Sequence, residues 1–252
     1  MDEGIEQAAT LLREADTAVA FTGAGISTAS GIPDFRSDGG IWDRYEPESF
    51  HIRRFHADPD GFWQDRAELV AELYADVEPN AAHEALAALE QADLLDRVIT
   101  QNVDGLHAAA GSEDVVELHG NGGRVACQDC GRRADAAPHY EAVRTGDIDG
   151  APRCPDCEGL LKPDVVLFGE RLPMAPLNEA RSLARTADCL LVVGSSLTVE
   201  PAASLPEIAA DTGGALVVIN LEETHVSGRA AVDLRASATE ALSTLRARLL
   251  GD

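Results

Sequence analysis

Short apolar runs alternate with longer helical patterns along this chain of 252 residues. Strands that alternate with helices in this way predict a parallel sheet with helices on both faces. The predicted strands are Ala18–Thr22, Val98–Gln101, Val115–Leu118, Val165–Phe168, Leu190–Val193 and Leu216–Asn220. The predicted helices are Gly4–Ala15, Gly61–Ala75, Ala81–Gln91, Leu177–Thr186 and Ala238–Leu249. Because such sheets bind ligands at the carboxyl ends of their strands, the turns that follow the strands are candidate sites of chemistry.

Two stretches interrupt this alternation. Residues 36–78 are helical and rich in aromatic side chains, and we expect them to form a lobe over the end of the first strand. Residues 121–161 are rich in Gly, Pro, Arg and Cys and have almost no long apolar run, so they cannot build a hydrophobic core of their own. We therefore predict an α/β fold with a Rossmann-like domain (residues 1–35, 79–120 and 162–252), a helical insert (36–78) and a small cysteine-rich module (121–161).

The charge balance argues against several classes of partner. Forty-four acidic and twenty basic residues give a net charge of −24, and Lys162 is the only lysine. So acidic a surface repels polyphosphate chains, and we expect no direct binding of nucleic acid. The same charge suits a very salty cytoplasm, where screening reduces self-repulsion.

The chain also lacks the marks of secretion or membrane insertion. Its first residues are acidic, and no signal-like apolar stretch follows them. No apolar run approaches the ~20 residues of a membrane span. We therefore expect a cytoplasmic protein without a membrane partner, and we favour a monomer.

Four of the five cysteines form two C-x₂-C pairs, Cys127 with Cys130 and Cys154 with Cys157. Each pair places two sulfur atoms on one side of a tight turn, and two such turns complete a tetrahedron around Zn²⁺. Four thiolates leave no open position on the metal, so we predict one structural zinc ion and a zinc-ribbon module. A redox role for the second pair is the alternative, but it leaves the first pair unexplained. Cys189 opens an apolar run and is interpreted as a core residue.

A glycine-rich turn, Gly23-Ala24-Gly25-Ile26-Ser27, follows the first predicted strand. A strand, a glycine turn and a helix start are the geometry that places a pyrophosphate at a helix N-terminus. Glycine lets backbone N–H groups approach the phosphates because no Cβ is in the way. The third glycine of the common dinucleotide fingerprint is absent, so the turn alone is equally compatible with a nucleotide site and with a tight structural turn.

Polar residues also end or follow the later predicted strands. They are Gln101, Asn102 and Asp104, then His119, then Gly194, Ser195 and Ser196, and finally Asn220. Because imidazole titrates near neutrality, a histidine at the end of a strand is a candidate general base, with a structural histidine as the alternative. The amide and the carboxylate of residues 102 and 104 can both face a cleft, although a capped turn without a ligand has the same spacing.

The run Gly-Ala-Gly-Ile-Ser-Thr-Ala-Ser-Gly-Ile-Pro-Asp-Phe-Arg at residues 23–36 resembles the signature of the sirtuins, the NAD-dependent protein deacylases. Thr-Gln-Asn-Val-Asp-Gly-Leu-His (100–107), His119-Gly120, Phe-Gly-Glu (168–170) and Gly-Ser-Ser-Leu-Thr-Val-Glu-Pro-Ala (194–202) resemble further motifs of that family, in the family's order. The likeness covers nearly the whole chain. It is weaker near the end, where Arg-Ala-Ser-Ala (235–238) stands in place of a sequence closer to Arg-Gly-Asp-Ala.

The resemblance implies that NAD is a co-substrate and that His119, with Asn102, is catalytic. It implies an NAD site formed by Gly23, Ala24, Gly25, Ser27, Asp34, Phe35, Arg36, Gln101, Asn102, Asp104, Gly194, Ser195, Ser196, Asn220, Ser237 and Ala238, in which Asp104 binds the nicotinamide carboxamide. It also implies a site for an acyl-lysine protein or peptide, which pairs with the chain as an added strand. The residues of that site are Phe35, Val166, Phe168, Gly169 and Glu170.

The implied reaction transfers an acyl group from lysine to ADP-ribose and releases nicotinamide, with His119 as the general base. We expect the acyl group to be acetyl. Removal of succinyl or malonyl groups is an alternative, because Arg66 matches the arginine of the Tyr-x-x-Arg pair that some sirtuins use. Trp63 replaces the tyrosine, however, and Asp65 weakens a carboxylate site.

Mono-ADP-ribosyl transfer at the same site is a further enzymatic alternative. An ADP-ribose or NAD sensor and a zinc-ribbon binder of nucleic acid are the non-enzymatic ones. The presence of His119, Asn102 and Asp104 disfavours a sensor, and the negative charge disfavours a nucleic-acid binder.

Overall fold

A six-stranded parallel sheet lies at the centre of the computed structural model, which describes residues 1–251. Its strands are β1 (Ala18–Thr22), β2 (Arg97–Thr100), β3 (Val115–Glu117), β7 (Cys189–Val193), β8 (Ala215–Ile219) and β9 (Val232–Leu234). Their order across the sheet is β3-β2-β1-β7-β8-β9, and every neighbouring pair is parallel. Every residue of β1 and β7 is buried, as expected for central strands that are covered on both faces.

Helices cover both faces of this sheet, which confirms the predicted fold class. On one face, α1 (Asp2–Glu14), α5 (Ala81–Gln91) and α10 (Ala238–Leu250) pack their apolar sides against the strands. On the other face, α8 (Met174–Thr186) and α9 (Leu205–Asp211) do the same. None of the helices in residues 1–251 combines the length and the apolar character needed to cross a bilayer.

A helical lobe occupies much of the first predicted insert. It contains α2 (Ile41–Arg44), α3 (Ile52–Ala57) and α4 (Pro59–Leu73). The side chain of Asp58 caps α4, since its Oδ1 accepts a hydrogen bond of 3.0 Å from the N–H of Gly61. A short helix, α6 (Leu106–Ala109), follows the β2 turn in the main domain.

A second, antiparallel sheet forms the cysteine-rich module. It contains β4 (Gly120–Cys127), β5 (Arg133–Asp135) and β6 (Leu161–Val165) in the order β5-β4-β6, and α7 (Ala137–Thr145) lies beside it. The module shares a hydrophobic core with the helical lobe, in which Phe55, Phe62 and Trp63 pack with Tyr140 and Leu161. The shared core supplies the apolar contacts that residues 121–161 lack by themselves.

The predicted strand Val165–Phe168 is wrong in position and in partner. The strand of this region is β6, which ends at Val165 and pairs with β4 in the small sheet. Phe168 instead forms an isolated bridge with His51 of the lobe. The apolar run misled the prediction because it spans the end of one strand and a partly exposed loop in which Leu167 is buried and Phe168 is exposed.

Most other predicted elements match the structure to within a few residues. The strands β4, β5 and β9 and the helices α6, α7 and α9 were not predicted. Of these strands, β4 is rich in glycine, and β5 and β9 are short and interrupted by charged residues, so none has a continuous apolar run. The division into three parts stays a prediction; the small sheet reaches Val165, four residues beyond the predicted boundary at 161.

Candidate active site and metal centre

The turns after several parallel strands meet at one edge of the main sheet. Thr22 at the end of β1 lies opposite both Thr100 of β2 and Val193 of β7, so the three strands end at the same level. The turns that follow these strands line a cavity of 880 Å³, together with those after β3 and β8. All residues assigned above to catalysis, NAD and the acyl-lysine substrate line this cavity: Gly23, Ala24, Gly25, Ser27, Asp34, Phe35, Arg36, Gln101, Asn102, Asp104, His119, Val166, Phe168, Gly169, Glu170, Gly194, Ser195, Ser196, Asn220, Ser237 and Ala238.

The glycines of the first turn pack directly against the turn after β7. A Cβ on Gly23 would lie 2.8 Å from the carbonyl oxygen of Gly194, and a Cβ on Gly25 would lie 2.9 Å from the same oxygen. The N–H of Gly25 donates to that carbonyl at 2.8 Å. Two 3₁₀ turns, Ala24–Ile26 and Thr28–Ser30, replace the expected helix start. Close packing of two strand ends is therefore one physical reason for glycine at these positions.

Side-chain hydrogen bonds join the β2 turn to its neighbours. The amide of Gln101 donates to the hydroxyl of Ser195 at 2.8 Å, and the amide of Asn102 donates to the hydroxyl of Ser27 at 3.0 Å. Ser27 in turn donates to the carboxylate of Asp104 at 2.7 Å. These bonds orient Asn102 and Asp104 in the cavity wall.

Two buried histidines behind this wall were not assigned a role from the sequence. The rings of His83 and His107 lie 4.9 Å apart, and burial lowers the pKa of both, to about 3 for His107. His107 contacts the hydroxyl of Thr22 at 2.9 Å, and His83 lies 3.4 Å from that of Ser27. Both are therefore neutral supports of the wall. The only sequence signal was that His107 closes the Thr-Gln-Asn motif.

His119 lies between β3 and β4 and is half-buried in the cavity wall. Its Nδ1 lies 2.8 Å from the carbonyl oxygen of Gln101, which can only accept, so Nδ1 carries the proton of the neutral ring and Nε2 is left as the basic atom. Burial lowers the pKa of His119, and the bond to Gln101 partly opposes that shift. The next residue must be glycine, because Gly120 has φ +78° and a Cβ there would collide with the carbonyl of Asp164.

The carboxylate of Asp34 is hydrogen-bonded to the residues that follow it in the same loop. It accepts hydrogen bonds from the N–H groups of Arg36 and Ser37, both at 2.8 Å, and from the hydroxyl of Ser37 at 2.6 Å. Burial opposes ionisation of Asp34, but the bonds from Ser37 and Arg36 outweigh it and lower the pKa. This geometry shapes the loop that carries Phe35 and Arg36 along the cavity.

An aromatic cluster closes one side of the cavity. The ring of Trp42 lies 5.2 Å from that of Phe35, 5.4 Å from that of Phe50 and 5.8 Å from that of Phe168. Trp42 and Phe50 were not among the predicted site residues, although residues 36–78 were noted as rich in aromatics. The cluster joins the lobe to the loop after β6.

The backbone of Phe168 already has a strand partner. Its N–H donates to the carbonyl of Phe50 at 3.0 Å, and its carbonyl accepts from the N–H of Ile52 at 3.0 Å. Any peptide that adds to this loop as a strand therefore has to use neighbouring backbone groups.

The single lysine supports the same loop. Lys162 is buried, and its Nζ donates to the carbonyl of Val165 at 2.6 Å and to the carboxylate of Glu170 at 2.9 Å. The same carboxylate oxygen accepts from the N–H of Leu167 at 2.8 Å. Glu170 thus holds the loop in place. The sequence offered no signal for this role of Lys162 beyond its being the only lysine.

The far end of the cavity is formed by the turns after β8 and β9. The amide of Asn220 donates to the carbonyl of Glu222 at 2.9 Å. The hydroxyl of Ser237 caps α10 by accepting from the N–H of Glu240 at 3.3 Å. Both bonds fix side chains that line this end.

Arg66 of α4 also lines the cavity, whereas Trp63 does not. The guanidinium of Arg66 lies 6.0 Å from the centre of the Phe50 ring, and its Nε is buried without a hydrogen-bond partner among the described residues. Trp63 points into the core shared by lobe and module, where its indole N–H donates to the carbonyl of Leu161 at 2.9 Å.

The four paired cysteines converge as predicted. The sulfur atoms of Cys127, Cys130, Cys154 and Cys157 all lie within 4.8 Å of one another. The Cys127–Cys157 pair is 3.5 Å apart and the Cys130–Cys154 pair 3.7 Å. A tetrahedral zinc ion with Zn–S bonds of about 2.3 Å requires sulfur atoms roughly 3.8 Å apart, so this cluster fits one zinc ion.

Comparison with known proteins agrees with this geometry. Residues 23–201 match the model of the Sir2 family. The chain is 56% identical over 250 residues to the NAD-dependent protein deacetylase of Haloarcula marismortui, and the match covers 98% of this chain and 95% of that protein.

Solved structures give the same result. One described as "Structural Basis for the Mechanism and Regulation of Sir2 Enzymes" has a TM-score of 0.88 and 41% identity, and the match covers 100% of this chain and 99% of that one. Another, described as "Sir2-p53 peptide-NAD+", has a TM-score of 0.87 and 38% identity, with 98% of each chain covered.

Proposed function

The chain belongs to the Sir2 family, and from this membership we propose that it is an NAD-dependent protein lysine deacetylase. It transfers the acetyl group from a lysine side chain to ADP-ribose and releases nicotinamide. The name of the H. marismortui relative and the NAD-peptide complex of a related enzyme support this proposal. The observation that carries it is the convergence of the turns beginning at Gly23, Gln101 and Gly194 with His119 on one cavity.

The cavity residues suit a dinucleotide. Asn220 and Ser237 offer polar groups for the adenosine half at one end, and Asp104 offers an acceptor for a carboxamide N–H in the middle. NAD supplies an electrophilic ribose carbon, C1′, with nicotinamide as its leaving group. Ser27 and Asn102 hold the middle of the site in place through the hydrogen bonds described above.

His119 acts as the general base. Its free Nε2 removes a proton from a ribose hydroxyl, while the bond from Nδ1 to the carbonyl of Gln101 orients the ring. The same carbonyl stabilises the imidazolium that forms when the proton is taken up. The aromatic wall around Phe35 and Phe168 excludes water and surrounds the methylenes of the substrate lysine.

Mass spectrometry of acetyl-peptide reactions tests the proposal. With NAD, the wild-type protein should form free peptide, nicotinamide and O-acetyl-ADP-ribose; without NAD it should form none of them. His119→Ala should lower kcat by about 10²- to 10⁴-fold, because general-base catalysis contributes that much. The variant should keep its zinc and its circular-dichroism spectrum. Normal turnover in this variant would remove His119 from the mechanism.

Removal of acidic acyl groups is a second candidate, and the orphaned Nε of Arg66 is the observation that favours it. A half-buried guanidinium that lines the cavity suits a carboxylate at the end of the acyl group. The orientation of Trp63 weighs against it, since Trp63 lies in the core and cannot help to bind that carboxylate. We therefore favour acetyl.

The kcat/KM values for acetylated and succinylated forms of one peptide distinguish the two candidates. We expect the acetyl form to be preferred, and Arg66→Leu to reduce succinyl turnover more than acetyl turnover. A wild-type preference for succinyl that is lost in Arg66→Leu would make the acidic acyl group the substrate.

We further propose that the protein acts as a monomer in the cytoplasm on acyl-lysine proteins and does not bind nucleic acid. The net charge of −24 supports the last point, because phosphate backbones are repelled.

A further inference from the structure

A second cavity of 460 Å³ lies between the helical lobe and the cysteine-rich module. We call it the rear cavity. One wall consists of Ala67, Val70 and Ala71 of α4, and the opposite wall contains Ala137 and Tyr140 of α7. Ala71 and Ala137 are exposed, so the rear cavity opens to solvent between the two helices. Most of these side chains are apolar and small.

The two cavities share one wall. Arg66, Tyr74, Val103 and Asp104 line both of them. Tyr74 follows the last turn of α4 and lines both cavities, so it lies in the partition between them. Asp104 is the residue that we propose to bind the nicotinamide carboxamide. A nicotinamide ring held there would lie against this shared wall.

We propose that the rear cavity is the route by which nicotinamide leaves and re-enters the active site. This inference rests on the proposed function. In that reaction nicotinamide is released first, while the acyl-lysine peptide still occupies the Phe168 end of the main cavity and the ADP-ribose half still occupies the Ser237 end. Both ends are then blocked, and the wall at Asp104 is the side that nicotinamide already faces.

The chemistry of the rear cavity suits this molecule. Nicotinamide is small, planar and uncharged, and the alanine and tyrosine walls offer it apolar surfaces. Asp104 offers an acceptor for its amide. Arg144, which also lines the rear cavity, pairs with Glu141 at 2.8 Å, so these two charges balance each other. Nicotinamide can pass between the two cavities only when the side chains of Tyr74 and Arg66 move aside, so these two residues form the gate.

A route, unlike a binding site, controls rates and not equilibria, and this difference provides the test. Protein saturated with ADP-ribose and acetyl-peptide fills both ends of the main cavity without turnover. NMR exchange measurements with added nicotinamide then give its association and dissociation rate constants. Ala71→Trp, which places an indole at the mouth, should lower both constants on the order of tenfold and leave Kd unchanged. Ala57→Trp is the matched control, since Ala57 is an exposed alanine of the same lobe that lines neither cavity.

A second variant should act in the opposite direction. Tyr74→Ala removes the ring from the partition and should raise both rate constants several-fold, and the rate of labelled-nicotinamide exchange into NAD should rise with them. Rates in Ala71→Trp within twofold of the Ala57→Trp control would overturn the route, and so would a change in Kd without a change in the association rate. Failure of nicotinamide to bind the wild-type complex would instead count against the proposed function.

Discussion

His119 shows how one residue receives its chemical role from two neighbours. The carbonyl of Gln101 sets the tautomer, and burial in the wall lowers the pKa. A general base has to be neutral to accept a proton. Because the pKa is lowered, the neutral form predominates at neutral pH and is lost only as the pH falls through the lowered value.

We therefore expect the acid limb of the kcat/KM profile to lie below pH 6.5, the ordinary histidine value. Deacetylation rates between about pH 5 and pH 8 measure it. His56→Ala, which removes an exposed histidine outside the cavity, should leave the profile unchanged. An acid limb centred above pH 6.5 would contradict the environment described for His119.

At the scale of elements, the zinc module depends on the helical lobe as well as on its metal. The small sheet packs against Phe55, Phe62 and Trp63, and the indole of Trp63 is bonded to Leu161 at the start of β6. Zinc closes the two cysteine turns, and the lobe supplies the apolar surface. Loss of the metal should therefore destabilise both the cysteine-rich module and the helical lobe.

Cys127→Ser should lose the one zinc ion per chain, because metal binding and folding are coupled in such modules. Hydrogen exchange should then accelerate in β4, β6 and α4, while β1 and β7 stay protected by the separate cores of the main sheet. Cys189→Ser is the control, since Cys189 lies in a core of the main sheet and should leave the zinc content unchanged. Full zinc content in Cys127→Ser, measured by mass spectrometry of the native protein, would refute the assignment.

At the scale of the whole molecule, the dominant feature is the net charge of −24. Many arginines are paired with carboxylates on the surface, among them Arg44 with Glu72 and Arg229 with Asp211. Such exposed pairs each contribute little, so the excess of acidic groups leaves a net repulsion that opposes the folded state. Salt screens that repulsion.

We expect the melting temperature to rise by at least about 5 °C between dilute buffer and molar KCl, which for a chain of this size corresponds to roughly 1.2–2.5 kcal/mol. Differential scanning calorimetry measures it. Melting temperatures measured in sucrose are the control. Sucrose stabilises a protein because it is excluded from the protein surface, but it carries no charge and therefore does not screen repulsion. A melting temperature that is unchanged or lower in KCl would show that repulsion does not limit stability.

The sequence by itself determined the local features that depend on neighbours along the chain. Apolar runs predicted the strands β1, β2, β3, β7 and β8, because buried parallel strands require continuous apolar side chains. The spacing of Cys127, Cys130, Cys154 and Cys157 predicted the metal cluster, because each tight turn sets two ligands in place. The residues that follow the strands pointed to the site, since parallel strands end at one edge of the sheet.

Only the tertiary structure decided features that join distant segments. The bond between Lys162 and Glu170, the histidine pair behind Asp104 and the rear cavity all depend on how separate elements pack. Gly23 and Gly25 face Gly194, about 170 positions away, and the need for glycine there comes from that approach. The strand β6 was misplaced because the apolar run at residues 165–168 begins where the strand ends, and its pairing with β4 in a separate sheet depends on how the two segments pack.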